Sequence, residues 1–298
     1  MSNRARVRRM AVAMGKAIAF LGVTQILAQL VVFTALGGLS AKYWSQYDGR
    51  GLNEPWFLSS SVALLGIALI VTLAFLKYVE KQTWSYVRLQ KLHSVRLFTV
   101  GFVVSLVAVV LFILIATITD EVRLTVNAKS PPHAILYLFL MLIGGGALVV
   151  QEELIFRGYV LRTLEVGFNR SVGVLVTALL FGLFHIARAD ASALGILNIF
   201  LMGCLLGVVC VRTGSLWSAI GLHFGWNFFL YLFDFPVSGA TYPNPLCSLD
   251  YNRYSVIAGS AFGPEDSVVV TLLMVLLLAA SVLWLHSSQV RDDRKETL

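Results

Sequence analysis

Apolar runs of about twenty residues recur eight times along this chain, near residues 17–38, 56–78, 97–119, 134–160, 171–187, 193–211, 215–233 and 267–286. Each approaches the ~20 residues that a helix needs to cross a hydrocarbon core. Lipid offers no water to backbone N–H and C=O groups, so each run is predicted to be a helix, which satisfies them internally. The composition agrees: 58% of the 298 residues are hydrophobic and only 13% charged, where a soluble domain carries roughly 25% charged residues. The expected fold is an all-α polytopic membrane protein with about eight transmembrane helices.

The net charge of +7 would raise the question of nucleic acid in a soluble chain. In a membrane chain, basic residues mark cytoplasmic loops instead, and nucleic acid is not expected as a partner. With the N-terminus in the cytoplasm, sixteen Lys and Arg fall inside, among them Arg4, Arg6, Arg8, Arg9, Lys77 and Arg170; Lys42, Arg50, Arg123, Lys129, Arg188 and Arg253 fall outside. That asymmetry predicts eight spans with both termini cytoplasmic. The first span follows a basic stretch but is too long for a signal-peptide core, so it reads as an uncleaved helix. Cys204, Cys210 and Cys247 lack CxxC spacing, which indicates neither a disulfide framework nor a cysteine zinc site.

One charged residue at mid-bilayer costs at least ~2.5–3.5 kcal/mol on the insertion scale. The fourth span nevertheless ends in VVQEELIFRGYV, with Glu152, Glu153 and Arg157. Glu153 and Arg157 are spaced i, i+4 and can pair on one helix face. Glu152 is turned ~100° from Glu153 and is free to face a cavity as a general base. The fifth span places Phe181 and His185, and the seventh His223 and Asn227, at the same i, i+4 spacing. A carboxylate and an imidazole can activate water, directly or on a metal. Two histidines and a glutamate suit zinc or another divalent metal. An Asn and a second His can donate to a developing oxyanion. No GxSxG or HExxH motif is present. The same residue types serve proton-coupled transport or lock helices together, so residue chemistry alone leaves those readings open. The small-residue series Gly144, Gly145 and Gly146, then Gly203 and Gly207, reads as close helix packing, and the triple glycine can also soften the fourth helix.

EELIFR (Glu152 to Arg157), FGLFH (Phe181 to His185) and HFGWN (His223 to Asn227) appear in order on three predicted helices. This set resembles the EExxxR, FxxxH and HxxxN/D motifs of the CPBP intramembrane metalloprotease family. That family is the Rce1-like or Abi group of type II CAAX prenyl and bacteriocin-processing proteases. The resemblance implies a catalytic core on helices 4, 5 and 7, within residues 134–233. Residues 1–133 would form an N-terminal three-helix region, and 234–298 an extracytoplasmic loop and last helix, all in one structural domain. It implies an intramembrane endopeptidase with Glu152 as general base toward water, His185 assisting, and His223 with Asn227 as metal ligands or oxyanion donors. Glu152, His185 and His223 would be the ligands of any metal, while Glu153, Arg157 and Phe181 would support the site. The implied partner is a peptide or protein substrate, lipidated or membrane-inserted, in the plasma membrane of a bacterium. An inactive scaffold or a bacteriocin self-immunity protein is the alternative.

Depth tests this reading. From the predicted span ends, Glu152 and His223 lie about eight residues from the cytoplasmic side and His185 about fourteen, a mismatch of roughly 9 Å. Longer cytoplasmic ends, tilt or a kink must close it for one site to form.

Overall fold

The computed structural model describes residues 2–37, 54–89, 93–125, 131–188, 190–241, 248–251 and 254–296. Each predicted span coincides with a helix there. Helix α1 runs over Asn3–Gly37 and α2 over Glu54–Ala74, which continues as a π-helical segment, Phe75–Glu80. A 3₁₀ turn, Trp84–Val87, leads toward α3, Ser94–Ile118. The fourth span is one long helical run: α4 (Pro131–Leu140), a π segment (Met141–Gly145), α5 (Gly146–Glu153), a second π segment (Leu154–Val160) and α6 (Leu161–Gly167). Then come α7 (Arg170–Phe184), α8 (Ala193–Thr213), α9 (Leu216–Leu232) and α10 (Val268–Glu296). Five helices are long and apolar enough to cross a membrane, with Arg170–Phe184 and Val268–Leu283 as shorter apolar helices, among the described residues. The chain is an all-α polytopic membrane protein. A short antiparallel ribbon, β1 (Val122–Thr125) with β2 (Ser248–Tyr251), is added where α3 ends.

The turns follow from local chemistry. Asn169, Ser192 and Ser215 cap α7, α8 and α9, each side-chain oxygen accepting a free N–H of the first turn. Gly214 ends α8 at φ +64, a conformation that costs glycine nothing. At the end of the bundle where α6 gives way to α7, half-sequestered Glu165 accepts from Arg88, Arg162 and Arg170, so three basic residues are gathered on one carboxylate.

Between apolar helices in lipid the hydrophobic effect supplies little, so close approach and dispersion must hold them. Gly203 packs on Ala178 and Gly207 on Val174, joining α8 to α7. Gly144 packs on Phe57, and the triple glycine coincides with the first π segment. The tightest seam is α3 against α9. A Cβ at Gly221 would lie 2.1 Å from the Phe98 carbonyl oxygen, and one at Gly101 2.6 Å from that of Ser218. Gly225 meets Phe102 and Ser105, and the Ser105 hydroxyl donates to the Leu222 carbonyl at 2.5 Å. Gly221→Ala is therefore expected to push backbone from backbone and lower stability by about 1–3 kcal/mol. Denaturation in mixed detergent, followed by circular dichroism, measures this; an unchanged midpoint would contradict the packing.

Candidate active site

The depth mismatch disappears because the fourth helical run extends to Gly167 rather than ending near residue 160. Glu152 lies fifteen residues before Gly167, and His185 fifteen after Arg170, on either side of one turn. The α8–α9 turn stops short of that level. The Cys210 thiol contacts the Arg157 carbonyl, which leaves α8 under one turn to run to Thr213, whereas α6 ends nearly three turns past Arg157. His223, only seven residues into α9, thus arrives level with Glu153. The expected depth of about eight residues for Glu152 is corrected: it lies further from the Glu165 end and nearer the end that carries residues 234–241 and 254–266.

Glu152, His185, His223 and Asn227 all line one cavity of about 60 Å³, room for a few water molecules. Glu153 and Arg157, both fully buried, pair through Arg157 Nη1 and Glu153 Oε1 at 2.8 Å. The expected i, i+4 pair is present, although the backbone between the two is π-helical. Glu153 does more than pair. His223 Nδ1–H donates to the same Oε1 at 2.8 Å, so this carboxylate fixes the imidazole on a helix seventy residues away. With Nδ1 as donor, His223 presents the lone pair of Nε2, which stands 3.9 Å from Glu152 Oε2. That gap exceeds a hydrogen bond, and one water can bridge it.

His185 follows the last residue of α7, and its Nδ1–H donates to the Phe181 carbonyl at 2.8 Å. That carbonyl belongs to the final turn, where helix acceptors lack backbone partners. His185 therefore also presents an Nε2 lone pair. Phe181 joins the parts: its ring lies 4.2 Å under the Arg157 guanidinium, 4.7 Å from His185 and 5.9 Å, edge to face, from His223. Its supporting place is a hydrophobic hub with one face on a cation.

The donor set does not fit a three-ligand metal site as arranged. Among the described residues no group of three His, Cys, Asp or Glu side chains is gathered closely enough to hold an ion. Dialysis against a chelator is expected to leave turnover within about two-fold, and a loss that zinc restores would assign a metal instead.

The cavity has further polar residues beyond those the motifs single out. Asn198 on α8, Trp226 on α9 and Glu265 in the 3₁₀ turn Pro264–Asp266 share its wall. Asp266 accepts from the capping hydroxyl of Ser192. In the sequence Glu265 is one acid among several in a long connection, and only packing reveals its position. A second cavity, of about 290 Å³, lies against α1 and shares Glu152, His185 and Arg188 with the first. Gln25 and Gln29 of α1 face it together with Gln151. The first helix, which carries no motif, is thus part of the site's wall.

The type II CAAX prenyl endopeptidase Rce1-like family model matches residues 131–229, which contain all three motifs and every residue of the Glu153 network. No curated protein matches the chain. Residues 131–229 of this integral membrane protein are thus similar to the Rce1-like type II CAAX prenyl endopeptidase family, the family that its EELIFR, FGLFH and HFGWN motifs resemble.

Proposed function

We propose that the chain hydrolyses a peptide bond of a membrane-associated substrate, with Glu152 as the general base that activates water. The observation that carries this reading is the 3.9 Å separation of two acceptors, Glu152 Oε2 and His223 Nε2, at the wall of a small cavity inside an apolar bundle. A water held between them points both protons at acceptors and a lone pair away. Glu152 takes one proton as the water oxygen attacks the acyl carbon. Glu153 keeps His223 in the tautomer that accepts from water.

The oxyanion needs donors, and neutral His223 and His185 present lone pairs instead. Asn227, one turn beyond His223 and half-buried at the cavity wall, carries the amide N–H that can donate there. His185 Nε2 is an acceptor for a substrate N–H or a second water. The basic end of the bundle faces the cytoplasm, in the plasma membrane of a bacterium, and the substrate is a peptide or protein, lipidated or membrane-inserted.

A comparison of membrane proteomes from cells carrying the wild type and Glu152→Gln tests this. New N-termini that depend on Glu152, with a substrate retained by the variant, are the expected result. Equal product patterns in both strains would favour a non-catalytic scaffold or immunity role and sink the assignment.

A further inference from the structure

A second carboxylate lines the cavity with Glu152, from a part of the chain that the family model does not cover. Glu265 is buried, with 3% of its surface exposed. Its placement is deliberate in structural terms. Asn198 Nδ2 donates to the carbonyls of both Glu265 and Ser267, at 2.7 and 3.0 Å, which clamps the turn from α8. Trp226 Nε1–H and the Ser238 hydroxyl reach Oε1 only at 3.4 Å, and Oε2 has no hydrogen-bond partner. Asn198 Oδ1 is likewise buried without a partner. Trp226 lies three residues after His223, on the same side of α9. The backbone N–H groups of Glu265 and Ser238 also favour the ionised form, as the two long side-chain bonds do, but enclosure in a site this dry outweighs all four. Burial pushes the Glu265 carboxyl up to about 7. The ionisable groups that face it around the cavity are Glu152, His223, His185 and Arg188, and Asp266 adjoins it in the turn.

We propose that Glu265 is a second acid–base residue of this site: in its neutral form it gives its proton to the amine nitrogen as the peptide C–N bond breaks, while Glu152 takes the proton of the attacking water. The proposal rests on peptide hydrolysis at Glu152. The water oxygen bonds to the acyl carbon, and one water proton goes to Glu152. The C–N electron pair passes to nitrogen, which takes the Glu265 proton. The products are a carboxylic acid and an amine. Glu152 then holds a proton that Glu265 lacks, and water in the shared cavity returns it. Two carboxyls in unlike surroundings, one half-open and one enclosed, divide base and acid work in this way.

An amide nitrogen cannot leave unprotonated, whereas an ester oxygen leaves far more easily. The test uses the full chain in proteoliposomes and two substrates of one sequence, a peptide and its depsipeptide with an ester at the scissile bond. Glu265→Gln is expected to lower kcat on the peptide by about 10²- to 10⁴-fold and on the ester by less than about tenfold. Glu265→Asp is expected to restore part of the peptide rate. Wild-type peptide cleavage should fall above pH about 7, as the neutral acid is lost, and that limb should vanish in Glu265→Gln. Retained ester turnover shows that the variant is folded. Equal losses on both substrates would make Glu265 structural, and an unchanged peptide rate would remove it from the reaction. If the wild type cleaves neither substrate, the hydrolase reading fails and this proposal falls with it; if only the Glu265 contrast is missing, the Glu152 reading stands.

Discussion

Glu152→Gln lowers kcat for peptide cleavage by about 10²- to 10⁴-fold and leaves substrate affinity within about two-fold, as the expected result of removing a general base. The substitution keeps shape and polarity and deletes one property, the ability to take a proton. Little else should change, because the Glu152 side chain accepts no hydrogen bond from a described residue, and its ionic neighbour His223 stands 3.9 Å away. It is half-buried and lines both cavities, so its loss leaves no unpaired partner behind. Single-turnover kinetics in proteoliposomes, with fluorescence binding of the same substrate, separates the two effects. A variant that keeps more than about a tenth of the wild-type kcat would remove Glu152 from the base's role.

Arg157→Met has the largest expected effect on stability, a loss of about 3–5 kcal/mol, since it strands a buried charge. Glu153 is fully buried, with Oε2 already lacking a partner. Without Arg157 it keeps His223 as its described donor. The Phe181 ring also loses the cation 4.2 Å above it, worth up to about 2 kcal/mol when desolvated. The double variant Glu153→Gln/Arg157→Met should recover a large part of the loss, because neither charge then remains. Detergent denaturation of the four members of this cycle measures the coupling. Additive losses would mean that the pair is not a unit. The double variant should still cleave slowly, because His223 no longer has the carboxylate that orients it.

Much of this fold is legible in the sequence because lipid is a strict solvent. A run of twenty apolar residues has few alternatives to a helix, and charges within such runs stand out by their cost. The i, i+4 spacing of Glu153 and Arg157 therefore reads correctly as a pair. The link from Glu153 to His223 does not read, since it depends on how two helices seventy residues apart are placed. The π segments are equally hidden: LIFRGYV has the composition of an ordinary helix, and its backbone pattern is settled by packing. The Gly221–Gly225 spacing is visible but runs into HFGWN, where the chemistry draws attention away from its packing role. Glu265 gave no signal at all, because an acid in a polar connection is unremarkable until Asn198 and Trp226 are found around it.

Glu152 stands at the junction of the two cavities, which has a consequence for traffic. Hydrolysis inside a lipid-embedded protein needs two deliveries that differ in polarity and bulk. The smaller chamber is sized for solvent, and the larger one, walled by α1 with Gln25, Gln29 and Gln151, is sized for a stretch of chain. On the proposed reading, a substrate seated in the larger chamber brings its scissile bond to the junction, where it meets Asn227 and Glu265 of the smaller chamber, and water is replenished from that side. If the proposed hydrolysis holds, two doors onto one carboxylate let the protein exclude bulk water from the bilayer without starving the reaction of it.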